Sequence, residues 1–212
     1  MGTLVLVILA YLTAVHGDDF MRFNEVWPKI ENIPGWMSEP DMRFLYNTAK
    51  TAKPRGVIVE IGSFKGRSTI SLALGSMEGN KQFVYAIDKF AEFTTEQHKT
   101  LYPNFFDDFK RNVTNAGVKD IVKPIQMTSA EASMSWSDPI SFLFIDGDHA
   151  YESVKQDFSL WARHIVIGGI LAFHDTRSWP GPTQLAKEID ECDNAFKKTV
   201  MIDEITAFVR VR

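Results

Sequence analysis

One cysteine, Cys192, stands among the 212 residues. No disulfide can form within the chain, and no multi-cysteine metal site can exist. That fits a reducing compartment, and the expectation is a cytoplasmic protein. Charge of one sign is scarce as well. The chain has 23 basic and 27 acidic side chains, a net charge of −4, so it lacks the basic excess that a nucleic-acid partner requires. No apolar run reaches the roughly 20 residues of a membrane span. The longest, TLVLVILAYLTAV over 3–15, has the length of a secretory h-region. Val15-His16-Gly17 would serve as its cleavage site, yet no Lys or Arg precedes it. Three readings stay open: a secretory leader over 1–17, a non-native extension ahead of a start at Met21, or an apolar helix packed on the domain. Residues 1–20 are therefore set apart as leader or extension, and 21–212 are taken as one domain. Membrane contact is expected only if the leader is retained. Repeats and low-complexity tracts are absent.

What is present is 45% hydrophobic residues, enough for a proper core without staples. Phe23, Val26, Trp27, Ile30 and Ile33 recur at helical spacing until Pro34-Gly35 breaks the pattern. A second helix is expected over 40–50, with Met42, Leu45, Tyr46 and Ala49 on one face. From there the pattern alternates. Short β-branched runs at 57–61, 83–87, 121–126, 141–145 and 170–173 read as buried parallel strands. Helices are expected over 68–77, 105–116, 151–165 and 183–192, and two final strands at 199–202 and 205–211. The helix over 68–77 is small and apolar and should pack close to the sheet, and Gly168-Gly169 should stop the helix that starts at 151. Strands separated by helices imply a Rossmann-like, doubly wound α/β fold. Ligands of such sheets lie beyond the carboxyl ends of the strands. Asp88, Asp146 and Asp175 all stand at such ends, so residues far apart in sequence should converge.

Glu60-Ile61-Gly62-Ser63-Phe64-Lys65-Gly66-Arg67-Ser68 is a strand, glycine loop and helix start. Gly62 permits a sharp turn and close ligand approach, and Gly66 permits close helix contact. The loop matches neither the phosphate loop nor G-x-G-x-x-G. An acid immediately before it, Glu60, is a poor neighbour for pyrophosphate but a good one for an ammonium group. A buried acid at the end of an apolar strand needs such a partner. Asp88 follows the second strand, where a carboxylate can accept from both hydroxyls of a ribose, or else cap a turn. Ser129-Ala130 lies past the third strand, where the base would rest.

Glu60-x-Gly62-x-x-x-Gly66 followed by Asp88 resembles the S-adenosylmethionine (SAM) signature of class I methyltransferases. The block Phe144-Ile145-Asp146-Gly147-Asp148-His149-x-Tyr151, continuing to Gly168-Gly169 and Phe173-His174-Asp175, is similar to the methyltransferase-24 group. That group is related to macrocin-type sugar O-methyltransferases and resembles catechol-type O-methyltransferases. The resemblance covers about residues 21–212. It implies a seven-stranded, mostly parallel sheet with helices on both faces and an antiparallel last strand. It also implies SAM as cofactor, touched by Glu60, Gly62, Ser63, Gly66, Ser68, Asp88, Ser129, Ala130 and Asp146.

Asp146 and Asp175 end neighbouring strands, within reach of one ion, and oxygen ligands plus waters suit Mg²⁺. The resemblance implies Asp146 and Asp175 as metal ligands and His149 as general base; the third ligand stays open, and the adjacent His174 is a candidate ligand or else makes a structural hydrogen bond. Asp148 is a ligand, a partner orienting His149, or a helix cap. The aromatic stretch 90–106, with Phe93, His98, Tyr102, Phe105 and Phe106, is a lid or acceptor wall, or else a packed amphipathic helix. Trp179-Pro180-Gly181-Pro182 should shape the acceptor pocket from the other side, or else form a rigid loop with no contact to it, and Trp36 is a third candidate for closing the site. The expected activity is SAM-dependent, metal-assisted O-methylation of a small hydroxylated acceptor, a sugar or phenol. The chain is a candidate homo-oligomer. The alternatives are a nucleotide-dependent oxidoreductase, a hydroxylase-like relative and a non-catalytic SAM-binding module.

Overall fold

The computed structural model describes residues 17–90 and 105–212, with side chains from Arg22 onward in the first helix. The apolar run 3–15 and the residues Phe93, His98 and Tyr102 lie outside the described residues. Helix α1 (Gly17–Ile30) and helix α2 (Glu39–Thr51) precede the alternating part. Strand β1 (Val57–Ile61), α3 (Arg67–Glu78), β2 (Val84–Asp88), α4 (Phe105–Asn115), β3 (Val122–Gln126) and α5 (Ser129–Ser133) form one half. Strand β4 (Ile140–Ile145), α6 (Tyr151–Trp161), β5 (Ile165–Phe173), α7 (Pro180–Cys192), β6 (Phe196–Ile202) and β7 (Ile205–Arg210) form the other. The sheet order is β3-β2-β1-β4-β5-β7-β6. Pairing is parallel from β3 to β5, and β7 runs antiparallel between β5 and β6. The order reverses between β1 and β4, so their carboxyl ends flank the crevice where ligands of such sheets bind.

Successive strand residues point to opposite faces. Ile58, Phe142, Phe144, Ile170 and Ala172 join a core with α1, α2, α3 and α4. Val59, Ile61, Leu143, Ile145, Leu171 and Phe173 join the other core, with α6 and α7. Burial on both faces is why these strands read as continuous apolar runs. No helix among the described residues is long and apolar enough to cross a membrane.

Two expectations are corrected. Helix α6 ends at Trp161, and one 3₁₀ turn, Ala162–His164, leads into β5. Gly168-Gly169 lie inside that strand, where Gly168 takes φ +79° at a register irregularity. The β-branched run Ile165-Val166-Ile167 ends the helix before the glycines are reached. The small helix α3 packs on the sheet, where Ile70, Leu72 and Ala73 join the core with Ile58, Val84 and Ala86, and it packs closely on α2 as well: a Cβ on Gly75 would sit 2.1 Å from the Tyr46 carbonyl oxygen. Helix α5 was not expected, although its capping box, Thr128 with Glu131, is written in the sequence.

Candidate active site

The loop after β1 is held by an acid from the neighbouring strand. Asp88 Oδ2 accepts the amides of Ser63 and Phe64, both at 2.9 Å, and Oδ1 accepts the Phe90 amide at 2.7 Å. A carboxylate offers about four acceptor positions, so Asp88 retains one, on Oδ1. It therefore has room for one ribose hydroxyl beside its role as the loop's anchor.

Gly62 takes φ +87°, and a Cβ there would lie 2.0 Å from the Asp146 carbonyl oxygen. The space a side chain would occupy is filled by the tip of β4 rather than by a ligand. Gly66, at φ +85°, faces Phe109, which would be 3.0 Å from a Cβ. Trp36 lies against Phe64 at 5.2 Å, and Arg67 donates to the Gly35 carbonyl at 3.0 Å. The segment between α1 and α2 thus docks on the glycine loop.

Glu60 is fully buried at the end of β1. Thr69 on α3 donates to its Oε2, whereas Oε1 and the buried Ser63 hydroxyl make no well-formed hydrogen bond among the described residues, although the Ser63 and Ser68 hydroxyls lie near the carboxylate. Burial, countered in part by the Ser68, Thr69 and Ser63 hydroxyls, pushes the Glu60 carboxyl up to about 7. Ser68 is buried in the first turn of α3.

At the tips of β4 and β5, four ionisable side chains meet. His149 Nε2 donates to Asp175 Oδ2 at 2.7 Å. His174 Nδ1 faces Asp146 Oδ1 at 3.1 Å and Asp175 Oδ2 at 3.2 Å. Its Nε2 is directed at Asp41 Oδ2, 3.7 Å away. Burial opposes charge on His174, but Asp146, Asp175 and Asp41 outweigh it and push the imidazole up to about 12. The Asp175 hydrogen bond raises His149. Burial would raise Asp175, yet the hydrogen bonds from both histidines hold it well below the usual carboxylate range. Burial raises Asp146, partly offset by His174. Asp175 takes φ +59°, a conformation that aspartate tolerates better than most side chains.

A ligand atom from each of Asp146, His149 and Asp175 fits within 4.8 Å. His174 is not part of that trio. Its ring is buried behind the two acids, with Nδ1 facing Asp146 and Asp175 and Nε2 directed at Asp41, an arrangement that suits the structural hydrogen bond as the alternative to a ligand. Asp148 instead braces the turn into α6, accepting from the Ala150 amide at 3.2 Å and the Ser153 hydroxyl at 2.8 Å.

Residues 59–176 match the model of the Methyltransferase domain family of the methyltransferase-24 group. The chain belongs to that family. This methyltransferase domain is 27% identical over 167 residues to Uncharacterized protein R132 of Acanthamoeba polyphaga mimivirus, covering 76% of this chain and 70% of that protein. Its fold resembles the O-methyltransferase NovP, with a TM-score of 0.65, 16% identity, and 82% and 80% of the two chains covered. It also resembles an O-methyltransferase from Bacillus cereus solved in complex with SAH, with a TM-score of 0.60, 19% identity, and 95% of each chain covered.

Several site features of this methyltransferase were not legible in its sequence. Asp41 comes from α2, where the Ser38 capping box reads as a helix start and nothing more. The Trp179 indole stacks on the His149 ring, with centroids 4.4 Å apart and planes 15° apart; only the placement of Trp179 soon after Asp175 hinted at this. A Cβ on Gly181 would lie 2.2 Å from the His149 carbonyl, so α7 docks directly on the loop that carries His149. Ser129 and Ala130 open α5, and the Ser129 hydroxyl donates to Asp157 of α6. Phe90 stacks on Phe106 at 4.4 Å, so the described ends of the aromatic stretch are packed together.

Proposed function

We propose that this methyltransferase uses SAM to methylate the oxygen of a small hydroxylated acceptor, a sugar or a phenol. The observation that carries the reading is the buried, half-satisfied Glu60 beside the glycine loop. A fully desolvated carboxylate oxygen without a donor is costly, and the ammonium of SAM supplies both the charge and the hydrogen bond. Ser63 and Ser68 surround the same point, and Asp88 offers its remaining acceptor position to the ribose. The cofactor would lie across Gly62, Gly66 and the Asp146 tip, with its base toward Ser129 and Ala130.

SAM, when bound, supplies the methyl group on a sulfonium. His149 takes the proton of the acceptor hydroxyl at Nδ1 while its Nε2–H stays on Asp175, which orients the ring and stabilises the imidazolium formed. Trp179 fixes the plane of that ring. The remaining requirement is in-line placement of the acceptor oxygen, which is a matter of positioning. Two carboxylates within one ion's reach suit a divalent cation. Asp146 and Asp175 would hold Mg²⁺, which supplies polarisation of the acceptor hydroxyl. His174 balances the two acids from behind.

Transfer of labelled methyl from SAM to fractionated small-molecule extract, with calorimetry of SAM binding, tests the reading. Wild-type protein should bind SAM with measurable heat. Asp88→Ala should lose binding, because the loop loses its anchor. His149→Ala should keep SAM affinity and lose about 10²- to 10⁴-fold in turnover. EDTA should lower turnover, and Mg²⁺ should restore it. Absence of SAM binding removes the whole reading. Full turnover in His149→Ala removes the base, and indifference to EDTA removes the ion.

A further inference from the structure

The loop from Asp175 to Trp179 touches His149 twice. Asp175 Oδ2 accepts from its Nε2, and the Trp179 indole stacks on its ring. The loop starts at φ +59° on Asp175, a conformation that persists only where its surroundings fix it. Arg177, Ser178 and Trp179 are exposed, so burial does not hold the loop. Hydrogen bonds from the far end of the chain do. Glu204 stands in the two-residue turn between β6 and β7, where Ile202 pairs with Ile205. Its carbonyl accepts the Thr176 amide and the Thr176 hydroxyl, each at 3.0 Å. Its Oε2 accepts the Arg177 amide at 3.2 Å and the Ser178 amide at 3.1 Å. One residue thus satisfies three successive amides of the loop, two of them with a charged acceptor.

Glu204 is itself tied down. Its amide donates to Asp41 Oδ1 at 3.3 Å, and Asp41 is fully buried in the first turn of α2. We infer that Glu204 is a positioning residue for the base: through the amides of residues 176–178 it sets both the hydrogen-bond partner and the stacking partner of His149. The inference rests on the reading of His149 as base. Glu204 acts as an acceptor of two N–H groups on one oxygen, a task the side-chain oxygen of glutamine also performs. Its charge is therefore dispensable and its reach is not.

The test reads the stack directly. Ring protons of His149 lie over the indole face of Trp179 and should resonate upfield in the spectrum of the full chain labelled with ¹³C-histidine. The chain has five histidines, and His149→Ala assigns the signal. Trp179→Ala gives its unstacked position. Glu204→Ala should move the signal toward that position, and Glu204→Gln should leave it where it is in the wild type. Glu204→Ala should also lose about tenfold or more in methyl transfer, within the 10²-fold scale of a 1 Å misplacement, with SAH affinity unchanged. Glu204→Gln should restore turnover. If Glu204→Ala does not fold, Glu204→Asp carries the same expectation, since it keeps the charge and withdraws the oxygen by one methylene. A wild-type signal in its unstacked position overturns the inference. So does a folded Glu204→Ala with the wild-type signal or wild-type turnover, and so does a Glu204→Gln as impaired as Glu204→Ala. A wild-type protein with the stack in place and no methyl transfer overturns the methyltransferase reading and the catalytic meaning of the brace, while the spectra still decide whether Glu204 holds the loop.

Discussion

Burial makes Glu60 a different acid from one in water, and the consequence can be signed. Its folded carboxyl is raised from 4.5 to about 7 by desolvation. A group raised on folding contributes its full stability below the unfolded value and loses it as pH rises through the folded one. The ligand-free protein should therefore be penalised above pH 7, by on the order of 3 kcal/mol for a shift of this size. SAM binding needs the ionised form, so affinity should climb through pH 7 and level off above about 8. Glu60→Gln separates the two effects. At pH 8 its apo form should be more stable than wild type in urea, while SAM binding is lost. A less stable variant with unchanged SAM affinity would show that Glu60 has another partner. Much of this was legible beforehand, since an acid ending an apolar strand beside a glycine loop is conspicuous. The unpaired oxygen was not, because it depends on where Thr69 and Ser63 point.

Elements meet at the active site through close backbone contacts. Gly62 admits the tip of β4, and Gly181 admits the carbonyl of His149 at a distance no Cβ could tolerate. Gly181→Ala should push α7 away from the loop after β4 and move His149 relative to Asp175 and Trp179. The expected result is a loss of turnover of about 10²-fold, the scale of a 1 Å misplacement, with SAH affinity nearly unchanged because the glycine loop is on other strands. Equal losses in both measurements would mean that α7 supports the whole crevice. Element types were readable from periodicity, but their ends were less so. Gly168-Gly169 looks like a helix stop, yet β5 runs through the pair because pairing to β4 and β7 outweighs the local flexibility of glycine. The small face of α3 was readable, but not that Gly75 admits the backbone of α2, since sequence pattern shows that a face is small and not what approaches it.

The molecule as a whole is one seven-stranded sheet with a core on each side, and the proposed cofactor would touch the tips of β1, β2 and β4. Ligand binding should therefore stabilise it as a unit. SAH at 100 times its Kd should add about 2.7 kcal/mol, which for a chain of this length is a rise of roughly 5–10 °C in Tm. Differential scanning calorimetry should show one transition moving up. Two transitions, with only one responding, would mean that β5 to β7 and α7 unfold apart from the cofactor half.

The amino-acid order alone determined the alternation of strands and helices, the acids at the strand tips and the glycine loop. These follow from side-chain period and backbone freedom, which are local properties. The tertiary structure decided which groups meet. It set Asp41 of α2 under His174, stacked Trp179 on His149 and brought Asp157 to Ser129. Such contacts join residues far apart along the chain, and they exist only because helices from different segments pack onto one sheet, a result of burial that no single stretch of sequence encodes.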